Sequence, residues 1–246
     1  METDRYLALL RSDGTLLADS ARPDLEAAVP PCPGWAVRDV VTHTAEVYEH
    51  KLACIALQAP PEPWPPDWPA DRDPLAWFDD AHGRLLDVLG STDPATPAYT
   101  WWPPDQTMGF WVRRMAQETA VHRVDVQSAF NAVTPVDDEL AVDGVDEVLM
   151  LMLAGDWSDE PTDDFGAGKR VAVSTGGRSW LVELRSEAVV TVPATAEPPA
   201  GDGSVSGAPS EVLLWLWGRR PDDAVTFAGD LALQKGFRAR LAQATE

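Results

Sequence analysis

Segments with helical periodicity dominate the first two thirds of the chain. Apolar side chains recur there every three or four residues, the spacing that gives a helix one buried stripe. Proline-rich stretches at Val29–Trp35 and Pro60–Pro74 interrupt the pattern, because proline suits neither a helix interior nor a central strand. We expect the first to form a rigid turn and the second an irregular crossover packed over the helices. Helices are predicted over Thr3–Ser20, Ala36–Leu57, Pro74–Leu89, Phe110–Phe130 and Val136–Leu153.

The character of the sequence changes after Asp156. The segment Asp159–Gly168 is acidic and contains glycine, as linkers often do, and Gly176-Gly177 predicts a hairpin turn between short β-type runs. We therefore predict an all-helical domain over residues 1–160 and a smaller α+β domain over residues 168–246. The strands predicted in this second domain are Arg170–Ser174, Trp180–Leu184, Val189–Val192 and Val225–Ala228, and its helices are Pro209–Trp217 and Asp230–Ala244.

The charge of the chain excludes several classes of partner. Its 246 residues carry 19 Lys and Arg against 40 Asp and Glu, a formal net charge of −21. Such an acidic surface repels phosphate backbones, so nucleic acid is not an expected partner. No apolar stretch reaches the roughly 18 residues that predict a membrane span. The N-terminus lacks the features of a signal peptide, and two cysteines, Cys32 and Cys54, make no disulfide framework, so a cytoplasmic protein with reduced thiols is predicted.

Glu118 and His122 lie four residues apart on the fourth predicted helix, so both side chains project from one face. Zinc accepts imidazole nitrogen and carboxylate oxygen, and catalytic zinc sites use three protein ligands with a fourth position open. The third ligand must come from another helix. His43 is the best placed, because its neighbours at helical spacing are apolar. His50 and His82 are expected to face solvent or to pack at an edge.

The burial of Glu118 requires a partner, since an isolated carboxylate in a helical core is strongly destabilising. It lies on the apolar stripe of its helix, next to Met115. A metal ion is one possible partner, and an ion pair with Arg114 or with His122 is another. A glutamate and a histidine at this spacing are common by chance, so the spacing alone leaves both alternatives open.

Three segments resemble the signature motifs of the mycothiol-dependent maleylpyruvate isomerase family, which is part of the wider DinB/YfiT-like group of metalloproteins. The first is VPPCPGWAVRDVVTH over Val29–His43, and the second is FWVRRMAQETAVHRVD over Phe110–Asp125. The third is LLWLWGR over Leu213–Arg219. The resemblance extends over nearly the whole chain, with the motifs in the family's order, which makes it far more specific than a single pair of residues.

The resemblance implies an N-terminal DinB-like four-helix bundle that carries zinc, or another divalent metal, on His43, Glu118 and His122. It also implies a smaller C-terminal α/β domain that can supply an arginine to the site. Characterised relatives use mycothiol, the low-molecular-weight thiol of actinobacteria. The member that names the family isomerises maleylpyruvate to fumarylpyruvate, and others resemble thiol S-transferases. Gln117 departs from the family, in which histidine often precedes the glutamate; this affects substrate contacts and leaves the metal ligands intact.

Two further residues are candidates for catalytic roles. Asp125 lies two turns beyond Glu118 on the same helix face, where it can accept the second N–H of a ligand histidine. An ordinary salt bridge to neighbouring arginines is the alternative. An anionic substrate requires a cation, and Arg219 is the candidate because arginine binds carboxylates bidentately. Arg220 and Arg123 are the alternatives to Arg219, and an ordinary surface role is the competing interpretation for each of these arginines.

The predicted function is that of a zinc-dependent enzyme that activates mycothiol towards a small electrophilic substrate. Metal coordination converts a thiol to the nucleophilic thiolate. In an isomerase, the thiolate adds to the cis double bond of a maleylpyruvate-like diacid, and bond rotation and elimination of the thiolate give the trans product. In an S-transferase the adduct is retained. The alternatives are a non-catalytic metal- or ligand-binding regulatory protein of the same fold, and a metal-free bundle in which Glu118 pairs with His122.

Overall fold

The computed structural model describes residues 1–66, 68, 72–156, 166–194 and 199–245. The chain forms two compact units, Met1–Thr134 and Pro135–Glu246. This division precedes the fifth predicted helix, whereas the sequence placed the end of the helical domain near residue 160. The difference arises because that helix packs mainly on a helix of the second unit. Most of the predicted linker Asp159–Gly168 lies outside the described residues.

The first unit contains the expected bundle of four helices. Each helix begins and ends within two residues of its predicted bounds, because the apolar stripes that predicted them are the buried faces. The start of the third is fixed by Asp73, whose side chain accepts a hydrogen bond from the Ala76 N–H, with Pro74 in the first turn. The helices are α1 (Thr3–Ala21), α2 (Val37–Leu57), α3 (Pro74–Ser91) and α4 (Met108–Ser128).

The proline-rich turn before α2 is confirmed, and it fixes where that helix begins. The Val29 N–H donates to the Trp35 carbonyl over 2.9 Å. Gly34 has a φ of 87°, a backbone conformation that favours glycine. Asp39 accepts a hydrogen bond of 2.8 Å from the Ala36 N–H and so caps the first turn of α2. The turn therefore holds Trp35 directly before the helix that carries His43.

The described part of the predicted crossover between α2 and α3 packs on both helices. The Trp64 ring meets the His50 ring of α2 with centroids 4.8 Å apart. Trp68 meets Trp77 of α3 at 5.0 Å, and the Arg72 guanidinium lies 4.7 Å from the first of these rings and 4.4 Å from the second. The apolar and cation–π contacts of these tryptophans explain why the described part of this proline-rich segment lies on the bundle.

Helix α4 is buried along nearly its whole length. It packs on α1 and α2 and, to a smaller extent, on α3. Buried polar groups need hydrogen-bond partners, so this helix concentrates the internal polar contacts of the unit. Its buried polar residues are Arg114, Gln117, Thr119, His122, Arg123, Asp125 and Gln127.

The second unit begins with the fifth predicted helix, present as α5 (Asp138–Glu147) and continued by a π-helical turn over Val148–Met152. A six-stranded sheet follows, with the strand order β1-β4-β3-β2-β5-β6. Among the strand pairs in the described residues, only β2 and β5 run parallel. The strands are β1 (Gly155–Asp156), β2 (Lys169–Thr175), β3 (Arg178–Leu184), β4 (Ala188–Ala194), β5 (Gly203–Ser206) and β6 (Thr226–Ala228).

Four of these strands and the hairpin turn were predicted. Gly176 and Gly177 have φ values of 54° and 75°, which are the positive angles that a tight turn between β2 and β3 requires. The strands β1 and β5 were not predicted, because one has two residues and the other reads Gly-Ser-Val-Ser, with little β propensity. Two further predicted helices are confirmed as α6 (Pro209–Leu216) and α7 (Leu231–Thr245). None of the helices in the described ranges is long and apolar enough to cross a membrane.

Candidate metal centre

The three predicted metal ligands come together inside the first unit. His43 of α2 and Glu118 and His122 of α4 each present one donor atom, and these atoms lie within 4.8 Å of one another. Glu118 Oε1 is 3.6 Å from His43 Nε2 and 3.2 Å from His122 Nε2. The two imidazole rings meet at 75° with their centroids 5.0 Å apart. The predicted convergence is thus observed, and the role of these residues as ligands stays a prediction.

The packing of α2 against α4 sets this convergence. The two helices run antiparallel. His43 of α2 contacts His122 of α4, and Tyr48, further along α2, contacts Thr119, which comes earlier in α4. The Tyr48 hydroxyl and Thr119 Oγ1 lie 2.5 Å apart in the buried interface, one turn along α2 from His43. This hydrogen bond fixes the register in which the two histidines face each other. Because Glu118 and His122 are one turn apart on α4, both reach the same point.

Glu118 is held ionised by its neighbours. One oxygen, Oε2, accepts a short hydrogen bond from the Arg114 guanidinium, which leaves Oε1 facing the two imidazoles. Burial alone would raise the pKa of Glu118, but the charges of Arg114 and His122 outweigh it and hold the pKa of this carboxyl well below its usual range. The ion pairs that the sequence offered as alternatives to a metal are therefore both present.

His122 is oriented by a carboxylate on its far side. Its Nδ1 lies 3.0 Å from Oδ2 of Asp125, whose side chain is 0% exposed. Burial alone would lower the pKa of this imidazole. The negative charge of Glu118 and the hydrogen bonds to Asp125 and Glu118 outweigh burial and raise the pKa of His122 to about 9. This contact is the one predicted for Asp125, and its role towards a ligand histidine stays a prediction.

An open cavity of about 400 Å³ gives access to His43. It is lined by Gly34, Trp35, Asp39, Thr42, His43 and Glu46. The His43 side chain is 38% exposed, whereas those of Glu118 and His122 are 12% and 11% exposed. The Trp35 ring meets the His43 ring edge-on at 5.3 Å, so the turn before α2 positions this imidazole. One side of the site therefore faces a solvent-filled space of the size of a small-molecule pocket.

The donor set fits a divalent metal ion. A tetrahedral ion with bonds of about 2.1 Å holds its ligand atoms about 3.4 Å apart, and the separations of 3.2 and 3.6 Å around Glu118 Oε1 match this value. Two imidazoles and one carboxylate form a ligand set of catalytic zinc sites. The contacts of Asp125 with His122 and of Arg114 with Glu118 are the outer contacts that orient such ligands.

The other two histidines lie outside this group. The prediction that His82 faces solvent or an edge is wrong: its ring is buried, stacks on Tyr48 and Phe78, and has Nε2 3.1 Å from the Leu10 carbonyl oxygen. Its place on the apolar stripe of α3 was a signal that could have shown this. His50 packs against the crossover and is part of no group of metal-ligating side chains in the described part of the chain.

Arg123 is not available to a substrate. It is 1% exposed, and its guanidinium donates to Asp13 at 3.2 Å, to Gln127 at 2.8 Å and to the Thr134 carbonyl at 2.6 Å. This network joins α1 to the end of α4. Burial also removes Arg123 from the list of alternatives to Arg219, since a guanidinium enclosed by these partners cannot bind an incoming carboxylate.

The remaining predicted residues have defined surroundings. Arg219 belongs to the second unit, where it follows α6 and donates a hydrogen bond of 2.7 Å to the Trp217 carbonyl. Arg220 pairs with Glu211 at 3.0 Å. Gln117 is buried on α4. The proposed roles of these side chains towards a substrate stay predictions.

Comparison with known proteins places this geometry in a family. The family model of the mycothiol maleylpyruvate isomerase (MDMPI) N-terminal domain matches residues 8–127. The family model of the MDMPI C-terminal domain matches residues 139–235. A crystal structure of the mycothiol-dependent maleylpyruvate isomerase is 15% identical, with a TM-score of 0.66 over 94% of this chain and 95% of that one. A variant of it with one histidine replaced by alanine is 14% identical, with a TM-score of 0.63 and the same coverage.

These matches agree with the architecture described above. At such low identity the structural likeness establishes a shared fold, which confirms the predicted combination of a helical bundle and a smaller α+β domain. No curated protein matches the sequence. The two domain models lie in the two units of the structure and together span most of the chain. The chain therefore belongs to the mycothiol maleylpyruvate isomerase family.

Proposed function

We propose that this chain is a divalent-metal enzyme, with zinc as the expected metal, that activates mycothiol and isomerises a maleylpyruvate-like diacid. The observation that carries the proposal is the convergence of donor atoms from His43, Glu118 and His122 within 4.8 Å. The name of the family and the matching crystal structures, which are of a mycothiol-dependent maleylpyruvate isomerase, support it. Transfer of the thiol to another electrophile is the related reaction in which the adduct is kept.

The residues of the site have distinct parts in this proposal. His43, Glu118 and His122 would hold the metal, which when bound lowers the pKa of a coordinated thiol and so supplies thiolate at neutral pH. Arg114 holds Oε2 of Glu118 and thereby directs Oε1 to the two imidazoles. Asp125 holds a proton on Nδ1 of His122, which leaves Nε2 as its donor atom.

The proposal assigns a role towards thiol and substrate to one cavity and to one arginine. The cavity beside His43 and Trp35 is the route by which thiol and substrate would reach the ligands. Arg219 is retained as the proposed carboxylate-binding residue of the second unit, because its guanidinium suits a planar anion. Arg219 and Asp125 thus complete the proposed catalytic set, the first binding substrate and the second positioning His122.

The metal-free alternative has its own support. Glu118 already contacts Arg114, His122 and His43, so the buried carboxylate has partners without an ion. The open cavity and the moderate exposure of His43 favour the metal, because a purely structural ion pair needs no access from solvent.

A turnover assay tests the proposal. Protein purified without a histidine tag is assayed with mycothiol and maleylpyruvate, before and after removal of metal by a chelator and after reconstitution with zinc. We expect conversion to the trans isomer that requires both thiol and metal. Mass spectrometry with model electrophiles in the same assay detects a retained thiol adduct and so identifies the transferase reaction. Full metal loading with no turnover in either reaction would favour the regulatory alternative.

Replacing Asp125 with asparagine tests the positioning of His122. We expect Asp125→Asn to lower the metal affinity by about 10- to 100-fold, because the imidazole loses the charge that holds its Nδ1 proton. Competition with a chelating dye measures this affinity. Asp202→Asn is the control, since Asp202 lies in the second unit beside Lys169 and should bind metal like the unchanged protein. Equal affinities for both variants would contradict the assigned role of Asp125.

The metal affinity should also depend on pH. His122 must lose a proton before Nε2 can bind a cation, and the pKa of His122 is about 9. The affinity should therefore rise about tenfold per pH unit from pH 7 to 9, with about one proton released per metal at pH 7. Calorimetry in buffers of different ionisation enthalpy measures both quantities, and a flat profile would exclude His122 as a ligand.

The metal-free protein should show the opposite trend in stability. The pKa of His122 in the folded chain, about 9, exceeds its ordinary value of 6.5. The charged imidazole therefore stabilises the fold fully below pH 6.5, and this contribution is lost as the pH rises through 9. Urea unfolding of the metal-free protein at pH 6.5 and 9.5 provides the comparison.

A further inference from the structure

Lys51 of α2 carries a positive charge that the described fold does not neutralise by contact. Its Nζ lies 3.0 Å from Nδ1 of His50 and 5.4 Å from the centre of the Trp111 ring. Among the residues that the structure describes, no carboxylate oxygen lies within the 4.0 Å of an ion pair from this ammonium. Lys169, by comparison, pairs with Asp202 at 3.3 Å. Lys51 thus lacks the acid that usually accompanies a half-buried lysine.

The position of Lys51 relates it to the candidate metal centre. It lies eight residues after His43 on α2, a rise of about 12 Å, and faces α4, where Trp111 precedes Glu118 by two turns. Its Nζ is held beside the Trp111 ring and His50 Nδ1, and the charge of Glu118, two turns along α4 from Trp111, acts on it.

The electrostatics agree with this placement. Burial lowers the pKa of the Lys51 ammonium, and the nearby negative charge of Glu118 opposes this effect. The Arg114 guanidinium also acts on Lys51, but it is already bonded to Glu118. Lys51 is therefore a partly desolvated cation beside the site, and a carboxylate that reached it would form a charge-assisted hydrogen bond. In a chain with a net charge of −21, an anionic substrate needs such a local cation.

We propose that Lys51 binds the carboxylate of an anionic substrate whose reactive end lies at His43, Glu118 and His122. The assignment rests on the proposed function for the location of the reactive end. It places a carboxylate-binding residue within the first unit itself, in addition to the arginine proposed for the second. Trp111 and His50 hold the ammonium in position, and the substrate class is a small dicarboxylate or keto diacid.

Binding of maleate, a cis-dicarboxylate, tests the assignment without any turnover. Calorimetry compares the metal-loaded wild type with Lys51→Gln, Lys51→Arg and the control Lys169→Gln, and metal content is measured for each. We expect Lys51→Gln to weaken maleate binding by about 10- to 100-fold with the metal content unchanged. Lys51→Arg should retain most of the affinity, and Lys169→Gln should match the wild type.

The outcomes separate this assignment from the proposed function. Wild-type maleate affinity in Lys51→Gln, with full metal loading, would overturn the role of Lys51 and leave the metal centre intact. Loss of metal or of folding stability in both Lys51→Gln and Lys51→Arg would show that the lysine side chain serves the packing of the bundle, because arginine keeps the charge, and would also overturn the assignment. If the wild type binds no metal, the proposed function fails, and the same maleate titrations on metal-free protein still determine whether Lys51 binds a carboxylate.

Discussion

His122→Ala is expected to abolish stoichiometric metal binding and with it the thiol chemistry. The variant loses one of three donors and the contact that Asp125 orients, so the affinity should fall by more than the roughly 10- to 100-fold typical of an outer contact. Glu118 keeps Arg114 as a partner, which allows the variant to fold. Elemental analysis after dialysis against limiting zinc, followed by the mycothiol assay, gives the two readouts.

His82→Ala is the matched control for this experiment. His82 is a buried histidine of the same bundle, and its loss removes ring stacking on Tyr48 and Phe78 and a contact with the Leu10 carbonyl. This variant should be less stable and yet retain one metal per chain. The pair thus distinguishes the loss of a ligand from the loss of packing. Full metal loading of His122→Ala, or loss of metal in a folded His82→Ala, would contradict the assignment of ligands.

Arg123→Met is expected to destabilise the first unit strongly. It removes the guanidinium that pairs with Asp13 between α1 and α4, and it removes the donors to Gln127 and the Thr134 carbonyl. Removing one partner of a buried ion pair typically costs about 3–5 kcal/mol. Urea denaturation followed by circular dichroism measures this loss in the free energy of unfolding.

Two further variants serve as comparisons for the free energy of unfolding of Arg123→Met. Arg22→Met breaks exposed contacts with Asp19 and Asp79 and should cost less than about 1 kcal/mol. The double variant Asp13→Leu with Arg123→Met removes both charges and should recover part of the stability that Arg123→Met loses. Equal stabilities of Arg123→Met and Arg22→Met would show that the network contributes little to the packing of α1 on α4.

Much of the bundle and of the site could be predicted from local spacing. A spacing of four residues places Glu118 and His122 on one face whatever the tertiary structure, and apolar neighbours indicated that His43 points inward. The helix ends followed from the prolines and from the loss of periodicity. These features depend on residues close in sequence, which is why the structure confirms them.

The differences arise where distant residues decide the outcome. His82 is enclosed because Gly14 of α1 leaves room for it: a Cβ at that glycine would lie 2.3 Å from the imidazole. The sequence of α3 does not show which residue of α1 will face it. Arg123 is buried because Asp13 lies across the α1–α4 interface, 110 residues away. Likewise, the strand β5 exists because β2 and β6 flank it.

X-ray absorption spectroscopy of the zinc-loaded protein tests the central claim most directly. Without thiol, we predict a first shell of two imidazole nitrogens, carboxylate oxygen and one further light atom at about 2.0–2.2 Å. Addition of mycothiol should bring in a single sulfur at about 2.3 Å while both imidazoles stay. A shell without imidazole, or one that contains no sulfur at saturating thiol, would contradict the account.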